Sequence, residues 1–178
     1  MYLPTRDRQP DLQAMQALIA AHALGTLVTH DGEAPDADHV PFEFFDAVPH
    51  GLLRAHVARA NPLWRRAGQQ VLVVFRGPAG YVPPDQEEKR ATGGRVVPTW
   101  DYHAVHVHGR LRAIEDPAWL LDFLHGQTAH HEARQPQPWS VDDAPPAWID
   151  GMLKAIVGIE IAIERIEGKW KGPAAQGQ

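Results

Sequence analysis

The chain has 178 residues, 44% of them hydrophobic, enough to bury a sizeable core and to exclude global disorder. It carries no cysteine, which excludes disulfides, iron–sulfur clusters, thiolate zinc sites and a cysteine nucleophile. Its 17 basic and 22 acidic residues give a formal charge of −5, with basic clusters only at Arg54/Arg59/Arg65/Arg66 and Lys169/Lys171, too thin for a duplex-binding face; no apolar run approaches the ~20 residues of a membrane span and the first residues lack a signal-peptide pattern, so a soluble cytoplasmic protein is expected.

In chain order, residues 11–23 predict an amphipathic helix capped by Asp11, with Leu12, Met15, Leu18, Ile19 and His22 on one face and Gly25 beyond its end. Thr26–Thr29 reads as a short strand, and Asp31-Gly32 as a hairpin turn. Asp38–Phe45 reads as a second strand whose Pro41 demands an edge or a bulge. Gly51–Val57 is a third strand, and Asn61-Pro62 opens a short helix with Asn as N-cap. Gln70–Phe75 is an apolar strand. Residues 76–95, rich in Gly, Pro and charge, read as an exposed excursion with a helical turn at 84–91. Val96–Ile114 alternates as one long strand or a bent pair, with Gly109 as the bend. A helix follows from Asp116-Pro117 to about Glu132, then a Pro-rich connection, a short helix over 146–156 and a half-buried strand over 157–163, after which Gly168-Lys-Trp-Lys171 follows the last strand. The expected division is one domain over 1–171 with a helical insertion around 116–156, and a flexible tail at 172–178.

The segment from His56 to Trp64 places a strand end, an arginine and a capped helix together. Free amides at the helix start and the Arg59 fork suit a phosphate, and His56 could face the same ligand; a surface arginine beside an ordinary cap is the plainer alternative. Around His39-Val-Pro-Phe42, Pro41 interrupts the edge and could leave main-chain groups free for a planar heterocycle, or mark a simple edge strand. His106 and His108 share a strand face with His103 opposite, too few ligands for a closed metal site. His130 and His131, adjacent on a helix, are expected to diverge. Trp170 could stack on a ring and Lys169 or Lys171 reach a phosphate, or the tryptophan could serve an interface. No serine elbow, P-loop or GxGxxG motif is present.

Met1-Tyr-Leu-Pro4, Gly25-Thr-Leu-Val-Thr29, His39-Val-Pro-Phe42, His56-Val-Ala-Arg-Ala-Asn-Pro62, Val96-Val-Pro-Thr-Trp100, Val105-His106, Pro138-Trp139, Asp143-Ala-Pro145, Ile156-Val-Gly-Ile-Glu160 and Gly168-Lys-Trp-Lys171 occur in this order. Together they resemble the PaiB-like family, described as FMN-binding negative transcriptional regulators. The resemblance implies an α+β fold, an antiparallel split β-barrel with peripheral helices, related to pyridoxamine-phosphate oxidases. It implies a homodimer with FMN in the groove between subunits, and on the matching positions a flavin site of His39, Pro41, His56, Val57, Ala58, Arg59, Asn61, Trp100, Lys169, Trp170 and Lys171. Weak flavin-dependent oxidoreductase activity is compatible with such a site, although no catalytic side chain can be named. Regulation would then be indirect, through a flavin or small metabolite. Residues 83–88 and 172–178 depart from the family pattern by lacking polar and aromatic groups that could touch a ligand. That departure motivates a second reading, a cofactor-free dimeric interaction protein. The histidines of the 100–108 strand motivate a third, a haem-binding split barrel.

Overall fold

The computed structural model describes residues 1–172 other than Val48. The expected flexible tail, apart from Gly172, lies outside the described residues. The described chain forms β1 (Arg8–Gln9), α1 (Leu12–Ala21), β2 (Leu24–His30), β3 (Pro35–Pro41), β4 (Glu43–Phe45), β5 (Leu52–Ala58), β6 (Gln70–Val82), α2 (Gln86–Ala91), β7 (Thr99–Ile114), α3 (Pro117–Glu132), α4 (Pro146–Lys154) and β8 (Ile156–Lys171), with 3-10 turns at Thr5–Asp7, Pro62–Arg66 and Val141–Asp143. The strands make one antiparallel sheet in the order β3-β2-β6-β7-β8-β5-β4, with β1 added to β8. The sheet coils into a split barrel that stays open between its edge strands β3 and β4, and the helices lie around it.

Alternation explains the core. Leu27 of β2, Val73 and Phe75 of β6, Val105 and Val107 of β7, Leu53 of β5 and Ile159, Ile161 and Ile163 of β8 all point inward and are almost fully buried. Met15, Leu18 and Ile19 of α1 close one mouth of the barrel against them. Each such side chain contributes about 1.5–3 kcal/mol of burial.

Five expectations change. Asp38–Phe45 is two strands, because Phe42 turns inward, nearly fully buried, and its amide donates to Ala23 O at 2.9 Å. Pro41 accordingly sits at the sheet edge. The excursion at 76–95 is largely strand: β6 continues to Val82 on the start of β7, absorbing a register shift between Arg76 and Ala79, and an edge-to-face pair of Tyr81 and Trp100 secures the extension. Gly-Pro content hid that alternation. The last strand does not stop at 163 but runs to Lys171, so Gly168-Lys-Trp-Lys171 lies within it. A shift of register opposite His108 and Gly109 lets the apolar half of β8 continue into a charged half. Finally, α4 stops at Lys154, and the helical turn after Asn61 is 3-10 over Pro62–Arg66.

The outward face of the sheet has two halves. Over β5 and the first half of β8 lies α3, close enough that a Cβ on Gly158 would collide with the Trp119 ring. The other half, over β2, β6, β7 and the end of β8, carries Thr26, Val28, Leu72, Val74, His106 and His108, which stay half exposed.

Candidate functional site

The residues singled out in the sequence fall into two groups. The first lies where β3, β5 and the helical insertion meet. Outward residues of β5 are Arg54, His56 and Ala58, whereas Val57 is buried in the core. His56 packs edge-to-face on Phe123 of α3, with ring centroids 6.1 Å apart. Burial holds its pKa below the ordinary histidine value, and its Nδ1 is buried without a hydrogen-bond partner.

His56 opens onto a cleft. Three adjoining depressions of about 420, 170 and 400 Å³ share Thr128 of α3 and Trp139 of the connection after it. The 170 Å³ one is an apolar slot walled by His56, Leu124, Val141, Ile149, Met152 and Ile156. The 400 Å³ one begins at Pro41 and runs past His131. Pro41 and His56, chosen from the sequence for different reasons, thus line one surface. The insertion residues Thr128, Trp139 and Trp148 were not singled out as site residues; Pro138-Trp139 had signalled only family likeness. The two larger depressions are of the size that holds small ligands; the slot alone is not.

Arg59 and Asn61 are held by protein. Arg59 donates from Nε to Lys154 O at 2.8 Å, from Nη1 to Glu115 Oε2 at 2.6 Å and from Nη2 to Ile156 O at 3.2 Å. This fork pins the end of α4 to the end of β5. Asn61 accepts from the Leu63 amide at 2.8 Å as an N-cap and donates to Asp38 Oδ1 at 2.7 Å, tying the corner to β3. His39 is exposed on β3, opposite Thr26.

The second group lies at the far end of β7 and β8. Trp170 pairs with His103 across the strands, and their rings stack at 4.8 Å against the core, so one face of the indole is already covered. Trp100 is exposed, and Lys171 Nζ donates to Thr99 Oγ1 and Trp100 O. Lys169 is the unusual member. It is only 7% exposed, yet its ammonium meets no carboxylate among the described residues. It donates to Tyr2 O at 3.1 Å and lies over the Tyr2 and Tyr102 rings at 5.5 and 5.4 Å. Register aligns it with Arg8 on one side and, across Ala104, with Arg76 on the other, so three cations share one row of the outward face. Neither arginine has a carboxylate partner among the described residues. The adjacent row carries His106 and Glu167, and the next His108 and Arg165. Burial lowers the pKa of both histidines; Arg165, 2.7 Å from Glu167, helps hold that carboxyl low against its own burial.

His130 and His131 do not diverge as expected. Both rings turn from the last turn of α3 onto Glu43 of β4 and stack at 5.0 Å. Side-chain rotation in the last turn of the helix overcomes their angular separation.

A family model described as "Putative FMN-binding domain" matches residues 1–165. The chain is 30% identical over 173 residues to the protease synthase and sporulation protein PAI 2 of Bacillus subtilis, covering 96% of this chain and 81% of that relative. Among solved structures, the FAD and haem binding protein of Mycobacterium smegmatis matches with a TM-score of 0.65 at 15% identity, over 97% of this chain and 77% of the other. A flavocytochrome from Azotobacter vinelandii matches with a TM-score of 0.60 at 16% identity, over 96% of this chain and 72% of the other. At these identities the structural matches speak for the split-barrel fold. No helix among the described residues is long and apolar enough to cross a membrane.

Proposed function

The chain belongs to this FMN-binding domain family, and from that premise we propose that it is a flavin-binding split barrel of the PaiB type that works as a homodimer. FMN is seated in the cleft beside Pro41 and His56 of one copy, and its phosphate meets the row of Arg8, Lys169 and Arg76 of the other. The observation that carries this reading is a mismatch of charge. The cleft offers an apolar slot and an orphaned imidazole nitrogen, which suit a ring with a polar edge, but no lysine or arginine lines it. Arg8, Lys169 and Arg76, which meet no carboxylate among the described residues, lie on the other half of the outward face, which also carries half-exposed apolar residues. A flavin mononucleotide needs both parts, and two-fold pairing over that half would bring the cleft of one copy to the cations of the other.

When bound, FMN supplies the hydride and one-electron chemistry. The protein's part is positional: His56 Nδ1 marks the polar edge, Trp139 and Met152 exclude water, and Lys169 neutralises charge. In this reading Arg59 and Asn61 build the corner, and Trp170 stiffens the far wall through His103. Regulation of the PaiB type would act through the bound ligand, because a chain of charge −5 with one short basic row is poorly equipped for a duplex.

Calorimetric titration with FMN and riboflavin tests the proposal. Micromolar or tighter FMN binding is expected, with riboflavin at least tenfold weaker, and Lys169→Ala should erase most of that difference. Val74→Glu, which adds a carboxylate to the apolar half of the face, should yield a monomer by light scattering and lose both ligands. No FMN binding by the intact dimer, or a preference for FMN untouched by Lys169→Ala, overturns the reading.

A further inference from the structure

We propose that Glu43, His130 and His131 form a binding site for a divalent first-row transition metal, bridging the open edge of the barrel and the end of α3. Glu43 is buried at 8% exposure, and among the described residues no arginine or lysine meets its charge. The other buried acids differ. Glu160 takes both Arg54 at 3.0 Å and Arg112 at 2.7 Å, and Asp7 has Arg6 at 3.6 Å. Arg54 stands directly across from Glu43 in the β4–β5 register but turns to Glu160 instead. A buried carboxylate without a permanent cation is costly.

What faces Glu43 is two imidazoles. His130 Nδ1 lies 2.7 Å from Oε2 and His131 Nε2 lies 2.8 Å from Oε1. The second contact does not have hydrogen-bond geometry, and Oε1 remains a buried oxygen without a hydrogen-bond partner. Charging both histidines would set two like charges in rings stacked 5.0 Å apart. One divalent ion instead satisfies the carboxylate and both neutral rings together.

The donor set fits the chemistry. One ligand atom from each residue falls within 4.8 Å of the others. Two imidazoles and a carboxylate suit zinc, iron, cobalt or nickel, and exclude the all-oxygen preference of calcium and magnesium. Metal–ligand bonds of ~2.0–2.2 Å place tetrahedral ligand atoms about 3.3–3.6 Å apart, so the 2.7 and 2.8 Å contacts to the carboxylate must lengthen and any separation near the 4.8 Å limit must shorten. At 62% and 52% side-chain exposure, both histidines are free to adjust. Three protein ligands leave at least one position open, and His131 also lines the cleft beginning at Pro41. A water or a ligand atom in that cleft can therefore complete the coordination. The site rests on its own residues and not on the flavin reading.

Chelator-treated protein titrated with zinc chloride should bind one ion per chain with a micromolar or tighter dissociation constant. His130→Ala and His131→Ala, changes in exposed rings that leave the fold intact, should each weaken binding at least tenfold. Glu43→Gln should do the same while circular dichroism confirms folding. Cobalt(II) should give a visible d–d spectrum that disappears in the same variants. The His106→Ala/His108→Ala double variant should leave affinity unchanged. Zinc affinity unmoved by the His130 and His131 changes, or abolished by the His106/His108 change, overturns the assignment.

Discussion

Replacing Arg59 with alanine separates two roles that a strand-to-helix arginine can have. In the structure its guanidinium makes three bonds, at 2.8 Å to Lys154 O, 2.6 Å to Glu115 Oε2 and 3.2 Å to Ile156 O. The two carbonyl bonds contribute about 1 kcal/mol each net. The ion pair, whose partners are 37% and 56% exposed, adds at most about 1 kcal/mol after solvent screening. Arg59→Ala should therefore cost about 2–3 kcal/mol, which in a domain of this size lowers the melting temperature by roughly 5–10 °C. Arg59→Lys, with a point charge in place of a fork, should recover less than half. Differential scanning fluorimetry gives the stability change, and parallel FMN and riboflavin titrations give the ligand change. A clamp shifts both ligands equally, through the shape of the corner. An unchanged melting temperature with FMN weakened more than tenfold and riboflavin untouched would refute the clamp and return the phosphate to Arg59.

Two further predictions follow from burial and packing. Desolvation lowers the His56 pKa in the folded state, so the unfolded chain binds more protons near that pH. Stability should be level above about pH 6.5 and fall as pH drops through the unfolded value, with a slope of at most about 1.4 kcal/mol per pH unit from this residue; His56→Gln should flatten that part of a pH–melting profile, and an identical profile would mean the ring is solvated. Gly158→Ala drives a methyl into the Trp119 ring and should cost about 1–3 kcal/mol in chemical denaturation. The same change in a Trp119→Ala background should cost at least ~0.5 kcal/mol less; strict additivity would show that α3 does not rest on Gly158.

Much of this protein is written locally. The caps Asp11, Asn61 and Asp116 set helix starts by short-range bonds, and the period-two pattern of Val157 to Ile163 declares a half-buried strand. The ordered motifs from Met1 to Lys171 identified the family and, through it, the split barrel. Those signals are legible because each depends on neighbours a few residues apart. The remainder depended on partners distant in the chain. That β6 reaches Val82 and β8 reaches Lys171 follows from mutual pairing with β7, which covers residues whose own pattern is polar or glycine-rich. Arg59 looked free because Glu115 and the carbonyls of Lys154 and Ile156 lie 56 to 97 residues away. His130 and His131 looked divergent because a helical wheel knows nothing of Glu43, which lies on a strand 87 residues before His130. Sequence fixes which chemistry a residue can offer, whereas the tertiary fold decides what that chemistry meets, since burial and opposing charge are properties of proximity in space.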